Sequence, residues 1–205
     1  MGQATNDLPL FAGEEEIMKK YSIIYADPPW RYKVYSEKGL GRSAEKHYPT
    51  MKLENIRELP VARYADNNCV LFMWTTIPFL YECFSVMKAW GFSYKTVAFV
   101  WIKQNRKSDS LFWGMGHWTR SNAELCMLAT KGSPKRASAC VHQVIISHIE
   151  NHSKKPEEAR RRIVELIGDL PRIELFARQR VPGWDAWGNE VDSDIELTGG
   201  EPNVR

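Results

Sequence analysis

Short apolar runs alternate with amphipathic segments along the chain. The runs are residues 22–26, 69–74, 96–102, 125–129, 144–146 and 173–177. Short continuous apolar runs are typical of strands that are covered on both faces, as in parallel sheets. Strands that alternate with helices favour an α/β fold, with a mostly parallel sheet and helices on both of its faces.

Two segments carry the apolar spacing of a helix. Between residues 78 and 90, apolar side chains recur every three or four positions before Gly91, which predicts a helix with one buried face. The stretch 156–168 begins with Pro156, carries two acidic residues in its first turn and closes with Gly168. These residue types are preferred at helix starts and ends, so we expect a second helix with Pro156 at its first position.

Two long polar stretches, residues 31–52 and 104–122, fit neither pattern. Each combines basic with aromatic side chains, and loops of this length in a compact domain are usually functional or mobile. Aromatic stacking and phosphate neutralisation are what an unpaired nucleotide base requires. We therefore expect the loops to clamp nucleic acid through Tyr32, Arg42, Arg106, Lys107, Trp118 and Arg120.

Composition and charge narrow the class of protein. The chain has 205 residues, of which 43% are hydrophobic and 26% charged, which is typical of one globular domain. No apolar run approaches the roughly 20 residues of a membrane helix and the first residues lack a signal pattern, so we expect a cytoplasmic protein. Residues 190–205 hold five acids and one base, a balance of −4, whereas the whole chain carries +3. Residues 1–189 therefore carry +7, a mildly basic body that suits a polyanion or an ordinary solvated surface equally well.

The same patterns divide the chain into three parts. We expect residues 1–19 to be a frayed N-terminal segment, 20–190 to form the domain, and 191–205 to be an acidic flexible tail. The four cysteines lie far apart, three of them within apolar segments, which favours buried thiols over disulfides or a CxxC metal site. His142, His148 and His152 lack cysteine or carboxylate partners at ligand spacing, so no metal site is predicted.

The candidate chemistry lies at the end of the first predicted strand, in Asp27-Pro28-Pro29-Trp30. Ligands of open α/β sheets bind beyond the carboxyl ends of the strands. The two prolines lack N–H groups, which leaves the Asp27 carboxylate and main-chain carbonyls as acceptors. Such a site suits a planar base with an amino group: Asp27 and the Pro28 carbonyl would accept its two hydrogens, and an aromatic ring would stack on it. A proline-rich turn beside a core tryptophan explains the tetrapeptide alone equally well.

Further blocks in order along residues 20–190 distinguish these readings. They are DPPW (27–30), HYPTM (47–51), LFMWTT (71–76), WGF (90–92), WIK (101–103), GMGHWTR (114–120) with Glu124, SKKPE (153–157), ELFAR (174–178) and GWDAWGNE (183–190). With these blocks the chain resembles the adenine-N6 methyltransferase family, whose eukaryotic members methylate adenosine in messenger RNA and whose bacterial and phage members are assigned to DNA. The resemblance implies a Rossmann-like fold with circularly rearranged motifs and S-adenosylmethionine as the methyl donor. No G-x-G-x-x-G follows the first strand, so the dinucleotide fingerprint gives no support of its own.

The resemblance also implies roles for individual residues. Asp27, Pro28, Pro29 and Trp30 are the expected catalytic residues, with Asp27 lying between the two ligands. Lys155 is expected to reach the methionine carboxylate, and Arg178, Asn189 and Glu190 to bind the ribose and its surroundings. His47 and Tyr48 belong to a loop that closes over the target base, and His117 lies beside Trp118 in the second loop.

The expected reaction is direct transfer of a methyl group to adenine N6 in nucleic acid. The family's messenger-RNA enzymes carry additional RNA-binding regions, whereas this chain has little beyond the domain, which favours DNA. RNA methylation, an inactive nucleic-acid-binding subunit, and a methyltransferase for protein or small-molecule amines are the alternatives. A small domain offers a limited footprint, which a homodimer or a related partner subunit would enlarge.

Overall fold

Strands and helices alternate in the first half of the chain, but three strands then follow one another without an intervening helix among the described residues. A computed structural model describes residues 18–30, 50–114, 116, 118–150 and 154–197. In chain order the elements are β1 (Tyr21–Ala26), α1 (Leu53–Glu58), β2 (Ala65–Thr75), α2 (Leu80–Ala89), β3 (Ser93–Gln104), β4 (Ala123–Lys131), β5 (Val144–His148), α3 (Glu157–Ile167), β6 (Arg172–Leu175) and β7 (Asp185–Trp187). The six predicted strands are confirmed, whereas α1 and β7 are too short to give a periodic signal.

The strands form one seven-stranded sheet in the order β5-β3-β4-β2-β1-β6-β7. Neighbouring strands are parallel except at β4, which is antiparallel to both β2 and β3. The predicted α/β fold with a mostly parallel sheet is confirmed. Because only β4 is reversed, its amino end lies at the same edge as the carboxyl ends of the other six strands.

The central strands are buried on both faces, as their continuous apolar runs require. Along β1, Ile24 and Ala26 belong to the buried cluster that includes residues of α1 and α2, whereas Ile23 and Tyr25 belong to the cluster that α3 covers. Residues of β2 divide between the two clusters in the same alternation. The helices therefore lie on both faces of the sheet.

Both predicted helices are present, with small differences at their starts. The first begins as a tight 3-10 turn at Ile77–Phe79 and continues as α2. Gly91 follows it with a φ of 81°, a left-handed conformation that favours glycine. Pro156 caps α3 from outside rather than occupying its first position, because its ψ of 134° is extended.

A buried ion pair joins α3 to β6. Arg160 donates to both carboxylate oxygens of Glu174, at 2.7 and 2.8 Å, and its guanidinium lies 5.5 Å from the ring centroid of Tyr25. This bidentate geometry is the strong form of an arginine–carboxylate contact. It fixes the start of α3 relative to the end of β6, and both ends carry candidate site residues.

Two expectations about the rest of the chain need correction. Ile195 and Leu197 are buried against the core, and Asp194 accepts a hydrogen bond from Ala186 N, so the domain extends to Leu197 instead of ending at 190. Cys69, Cys83 and Cys126 are buried as expected, but Cys140 is exposed. No helix of the described residues is long and apolar enough to span a membrane.

Candidate active site

A cavity of about 310 Å³ opens where the strand ends meet. β1, β2, β6 and β7 contribute the residues at or just after their carboxyl ends, and β4 contributes its second residue. The side chains and backbone that line the cavity are Asp27, Pro28, Pro29, Trp30, Met51, Thr75, Thr76, Glu124, Lys155, Phe176, Ala177, Arg178, Trp187, Gly188, Asn189 and Glu190. A cavity of this size lies within the range of small-molecule sites.

The structure brings together all the residues that the sequence assigned to catalysis and cofactor binding. Asp27, Pro28, Pro29, Trp30, Lys155, Arg178, Asn189 and Glu190 all line this cavity. Those assigned to the substrate are arranged differently. Arg106, Lys107, Trp118 and Arg120 lie in the connection between β3 and β4, away from the cavity lining, whereas Tyr32, Arg42, His47, Tyr48 and His117 lie outside the described residues.

Asp27 is held by a lysine that precedes α3. Lys155 Nζ lies 2.7 Å from Asp27 Oδ2 and 3.3 Å from Glu124 Oε2. The Lys155 side chain is only 9% exposed, and that of Asp27 is 30% exposed. Lys103 forms a further ion pair with the other oxygen of Glu124, Oε1. Four charged side chains from four segments therefore alternate in sign along a network of which three members line the cavity.

The network shifts the ionisation of its members. Burial raises the pKa of the Asp27 carboxyl above its ordinary value, although Lys155 acts in the opposite direction. Burial also acts to raise the pKa of Glu124, but the ammonium groups of Lys155 and Lys103 outweigh it and hold that pKa below its ordinary value. Although burial disfavours the charged form of Lys155, the two carboxylates raise its pKa. Lys155 is therefore a charged ammonium at neutral pH, and Asp27 is the carboxylate easier to protonate.

The backbone of the Asp27–Trp30 turn is fixed by hydrogen bonds. Trp30 N donates to Pro28 O at 2.8 Å, and Met51 N donates to Pro29 O at 3.0 Å. A carbonyl oxygen has two lone pairs, so Pro28 O keeps acceptor capacity for a ligand.

Trp30 has the core environment that was one of the two interpretations left open for the tetrapeptide alone. Its side chain is only 7% exposed, stacks on Phe79 with ring centroids 5.9 Å apart, and donates from Nε1 to Trp74 O. The indole anchors the turn to the core and lines one side of the cavity. One face of it is covered by Phe79, which limits it as a stacking platform.

A second turn, after the neighbouring strand β6, also lines the cavity. Phe176 leaves β6 with a φ of 62°, which is why that strand ends sooner than its apolar run predicts. Its ring packs against Trp187 with centroids 5.2 Å apart. A Cβ at Gly188 would lie 2.1 Å from Ala177 O, so only glycine allows the two segments to approach so closely. This contact sets Arg178 beside Glu190, with Nε and Oε1 3.8 Å apart.

Several lining residues were not assigned a role from the sequence: Met51, Thr75, Thr76, Glu124, Phe176, Ala177, Trp187 and Gly188. Glu124 lay within a matched block, but its place in the site depends on β4 running antiparallel, which the sequence did not predict. Thr75 and Thr76 could have been assigned to the site from the sequence, because they lie at the carboxyl end of a predicted strand, where ligands bind. His142 and His148 are exposed, and the described residues include no cluster of three or more potential metal-ligating side chains.

The fold and the cavity define a Rossmann-like α/β protein with a polar site at the carboxyl ends of its parallel strands. The chain belongs to the MT-A70 family, whose model matches residues 21–190, and the resemblance drawn from the sequence blocks is confirmed.

Two relatives show the breadth of the similarity. The chain is 39% identical over 197 residues to the type II methyltransferase M.MunI of a Mycoplasma species, covering 87% of this chain and 82% of that protein. It is 29% identical over 185 residues to the N(6)-adenosine-methyltransferase subunit METTL3 of Danio rerio, covering 86% of this chain but 29% of that protein.

Proposed function

We propose that this chain transfers a methyl group from S-adenosylmethionine to the N6 amino group of adenine in nucleic acid, with DNA as the preferred substrate. The observation that carries the proposal is the cavity that gathers Asp27 and Pro28 with Lys155, Arg178 and Glu190. The acceptors for an amino group and the polar groups for a charged nucleoside cofactor thus face one space. Membership of the MT-A70 family supports the reaction class.

The donors and acceptors of the cavity fit S-adenosylmethionine. Glu190 offers a carboxylate to a ribose diol, Asn189 an amide, and Lys155 a point charge to a carboxylate. Lys155 is anchored by Asp27 and Glu124, which orients its ammonium at the cavity wall. When bound, the cofactor supplies an electrophilic methyl group on a sulfonium.

The chain's own contribution is positioning and acceptor chemistry. Asp27 and Pro28 O accept the two amino hydrogens of adenine, which shifts the nitrogen toward tetrahedral geometry and exposes its lone pair. Asp27 needs no strong basicity, because the nitrogen becomes acidic once it is methylated. Since protonated Asp27 would lose its role as an acceptor, the proximity of Lys155 serves the reaction by favouring the ionised carboxylate.

The nucleic-acid surface that we infer is the connection between β3 and β4. Trp118 is 98% exposed and Trp113 60% exposed, and Lys107 and Arg120 are exposed in the same connection. Exposed indoles among basic side chains suit stacking on bases and contact with phosphates. The connection leaves the sheet at the same edge as the cavity, so a bound strand would pass over the site.

The choice of DNA over RNA follows the relatives. The type II methyltransferase of the Mycoplasma species aligns over most of its length, and the bacterial members of the family are those that the sequence resemblance assigns to DNA. The METTL3 subunits support RNA as the second candidate, but the chain spans less than a third of them. In duplex DNA the adenine must leave the base stack, at a cost of a few kcal/mol.

The test is incubation of the protein with methyl-labelled S-adenosylmethionine and matched DNA and RNA oligonucleotides, each single- and double-stranded. We expect label at adenine N6 in DNA, identified by nucleoside analysis, and less in RNA. Label in RNA alone would overturn the preference for DNA. No label in any oligonucleotide, with cofactor bound, would favour an inactive subunit or an amine substrate of another class. Sedimentation velocity on the same preparation tests the homodimer that the small domain led us to expect, and a fully active monomer would remove the need for a second copy.

A further inference from the structure

One member of the charged network lies outside the cavity lining. Lys103 is the penultimate residue of β3, and its ammonium pairs with Glu124 Oε1 and lies 4.9 Å from the ring centroid of Trp101. Its side chain is 19% exposed. Lys103 therefore contacts the residues that line the cavity through Glu124.

Lys155 is shared by two carboxylates that compete for it. It lies 2.7 Å from Asp27 and 3.3 Å from Glu124, so the pair with Asp27 is the closer one. Each oxygen of Glu124 faces a different lysine: Oε1 pairs with Lys103, and Oε2 with Lys155. Because Lys103 already neutralises Glu124, Lys155 is attracted to Glu124 less strongly than it would be to an unpaired carboxylate at the same distance.

We propose that Lys103 is a positioning residue that neutralises Glu124 and thereby keeps Lys155 directed at an ionised Asp27. The inference rests on the proposed function, because it assigns Asp27 the role of hydrogen-bond acceptor for the substrate. The four side chains together are neutral, with two ammonium groups and two carboxylates.

Loss of Lys103 would leave two carboxylates and one ammonium in a poorly solvated space. Asp27 is faced by Lys155, by Glu124 and the buried Cys126 thiol of β4, and, with the weakest effect on its carboxyl, by Arg178. Without Lys103, Glu124 attracts Lys155 more strongly, and Asp27 becomes easier to protonate. Loss of the Glu124 charge has the opposite effect, because Lys155 then has Asp27 as its remaining carboxylate in this network. The two substitutions therefore shift the titration of Asp27 in opposite directions.

The experiment compares Lys103→Met, Lys103→Arg and Glu124→Gln with the wild type. Lys95→Met is the matched control, since Lys95 lies on the same strand, exposed and at its other end. The first readout is the ¹³C titration of the Asp27 carboxyl in protein labelled at aspartate, assigned with Asp27→Asn. The second is the pH profile of methyl transfer to adenine under saturating cofactor and oligonucleotide.

We expect Lys103→Met to move the Asp27 titration, and the acid limb of the rate profile, up by about 0.5 pH unit or more. Glu124→Gln moves the carboxyl titration down, while Lys103→Arg and Lys95→Met leave it at the wild-type position. An unchanged titration in Lys103→Met, or shifts of the same sign in Lys103→Met and Glu124→Gln, would overturn the proposal. If Lys103→Met does not fold, Glu124→Gln decides by itself: an Asp27 titration at or above the wild-type pH in that variant overturns the proposal. A wild type that methylates no adenine would defeat the proposed function, whereas the carboxyl titration would still decide the inference.

Discussion

Replacement of Asp27 separates its chemical role from its structural one. Asp27→Asn keeps the shape of the side chain but removes its charge, and Asp27→Ala removes the acceptor altogether. If Asp27 accepts a hydrogen bond from the reacting amino group, either change should lower the rate of methyl transfer by at least about 100-fold. We expect the rate to stay low in Asp27→Asn, because the asparagine NH₂ group can face the substrate amino group as a second donor.

The structure also indicates how much stability the protein should lose when Asp27 is replaced. Removing one partner of a fully buried ion pair costs about 3–5 kcal/mol. Asp27 is 30% exposed, and Lys155 keeps Glu124 at 3.3 Å, so the loss is nearer to that of one charged hydrogen bond. We expect a decrease of about 1–2 kcal/mol in the free energy of unfolding, which corresponds to a melting temperature lower by about 2–8 °C.

The measurements are single-turnover methyl transfer, calorimetric binding of both ligands, and urea unfolding. Asp66→Asn is the matched control, since Asp66 is a partly buried, hydrogen-bonded carboxylate near the start of β2, at the opposite edge of the sheet. It should leave the rate unchanged. A rate for Asp27→Asn within a few-fold of the wild type, with both ligands bound, would remove Asp27 from the mechanism.

Three further predictions concern binding, thiol reactivity and pH. Lys155→Ala should weaken S-adenosylmethionine binding more than nucleic-acid binding in calorimetric titrations; an equal loss of both would contradict its assignment to the cofactor. Cys140 should be the one thiol that iodoacetamide labels in the folded protein, because it is exposed whereas the other three thiols are buried. Burial raises the pKa of the Cys83 thiol to about 12 and shields it from the reagent. Mass spectrometry before and after unfolding checks this, and fast labelling of Cys83 in the folded protein would refute it. Hydrogen bonds from Arg161 lower the pKa of Glu158 to about 2. The ionised Glu158 therefore stabilises the folded protein, by less than about 1 kcal/mol for such an exposed pair. This stabilisation is fully present above about pH 4.5 and is lost as the pH falls through 2. Urea unfolding of Glu158→Gln and wild type should therefore differ at pH 6, differ less at pH 3 and converge near pH 2, and a gap that widens in acid would show the sign to be wrong.

The sequence predicted the strands and the site edge because both depend on local patterns. A strand that is buried on both faces of a sheet requires a continuous apolar run. This holds for β1 and β2, whose residues alternate between two buried clusters. The environment of Trp30 depends instead on tertiary contacts. A tryptophan after two prolines is compatible with stacking on a ligand or with packing in the core, and only the contacts with Phe79 and Trp74 distinguish them.

The direction of β4 explains why Glu124 was not assigned to the site. In a parallel sheet, residues near the start of a strand lie at the edge opposite to the ligand, so a glutamate at the second position of β4 would be expected far from Asp27. Because β4 is antiparallel to β2 and β3, its start lies at the ligand edge. Lys103, near the end of β3, then reaches Glu124 across the β3–β4 pairing. The reversal of one strand thus supplies the second carboxylate, and with it the competition for Lys155 that the ionisation of Asp27 depends on.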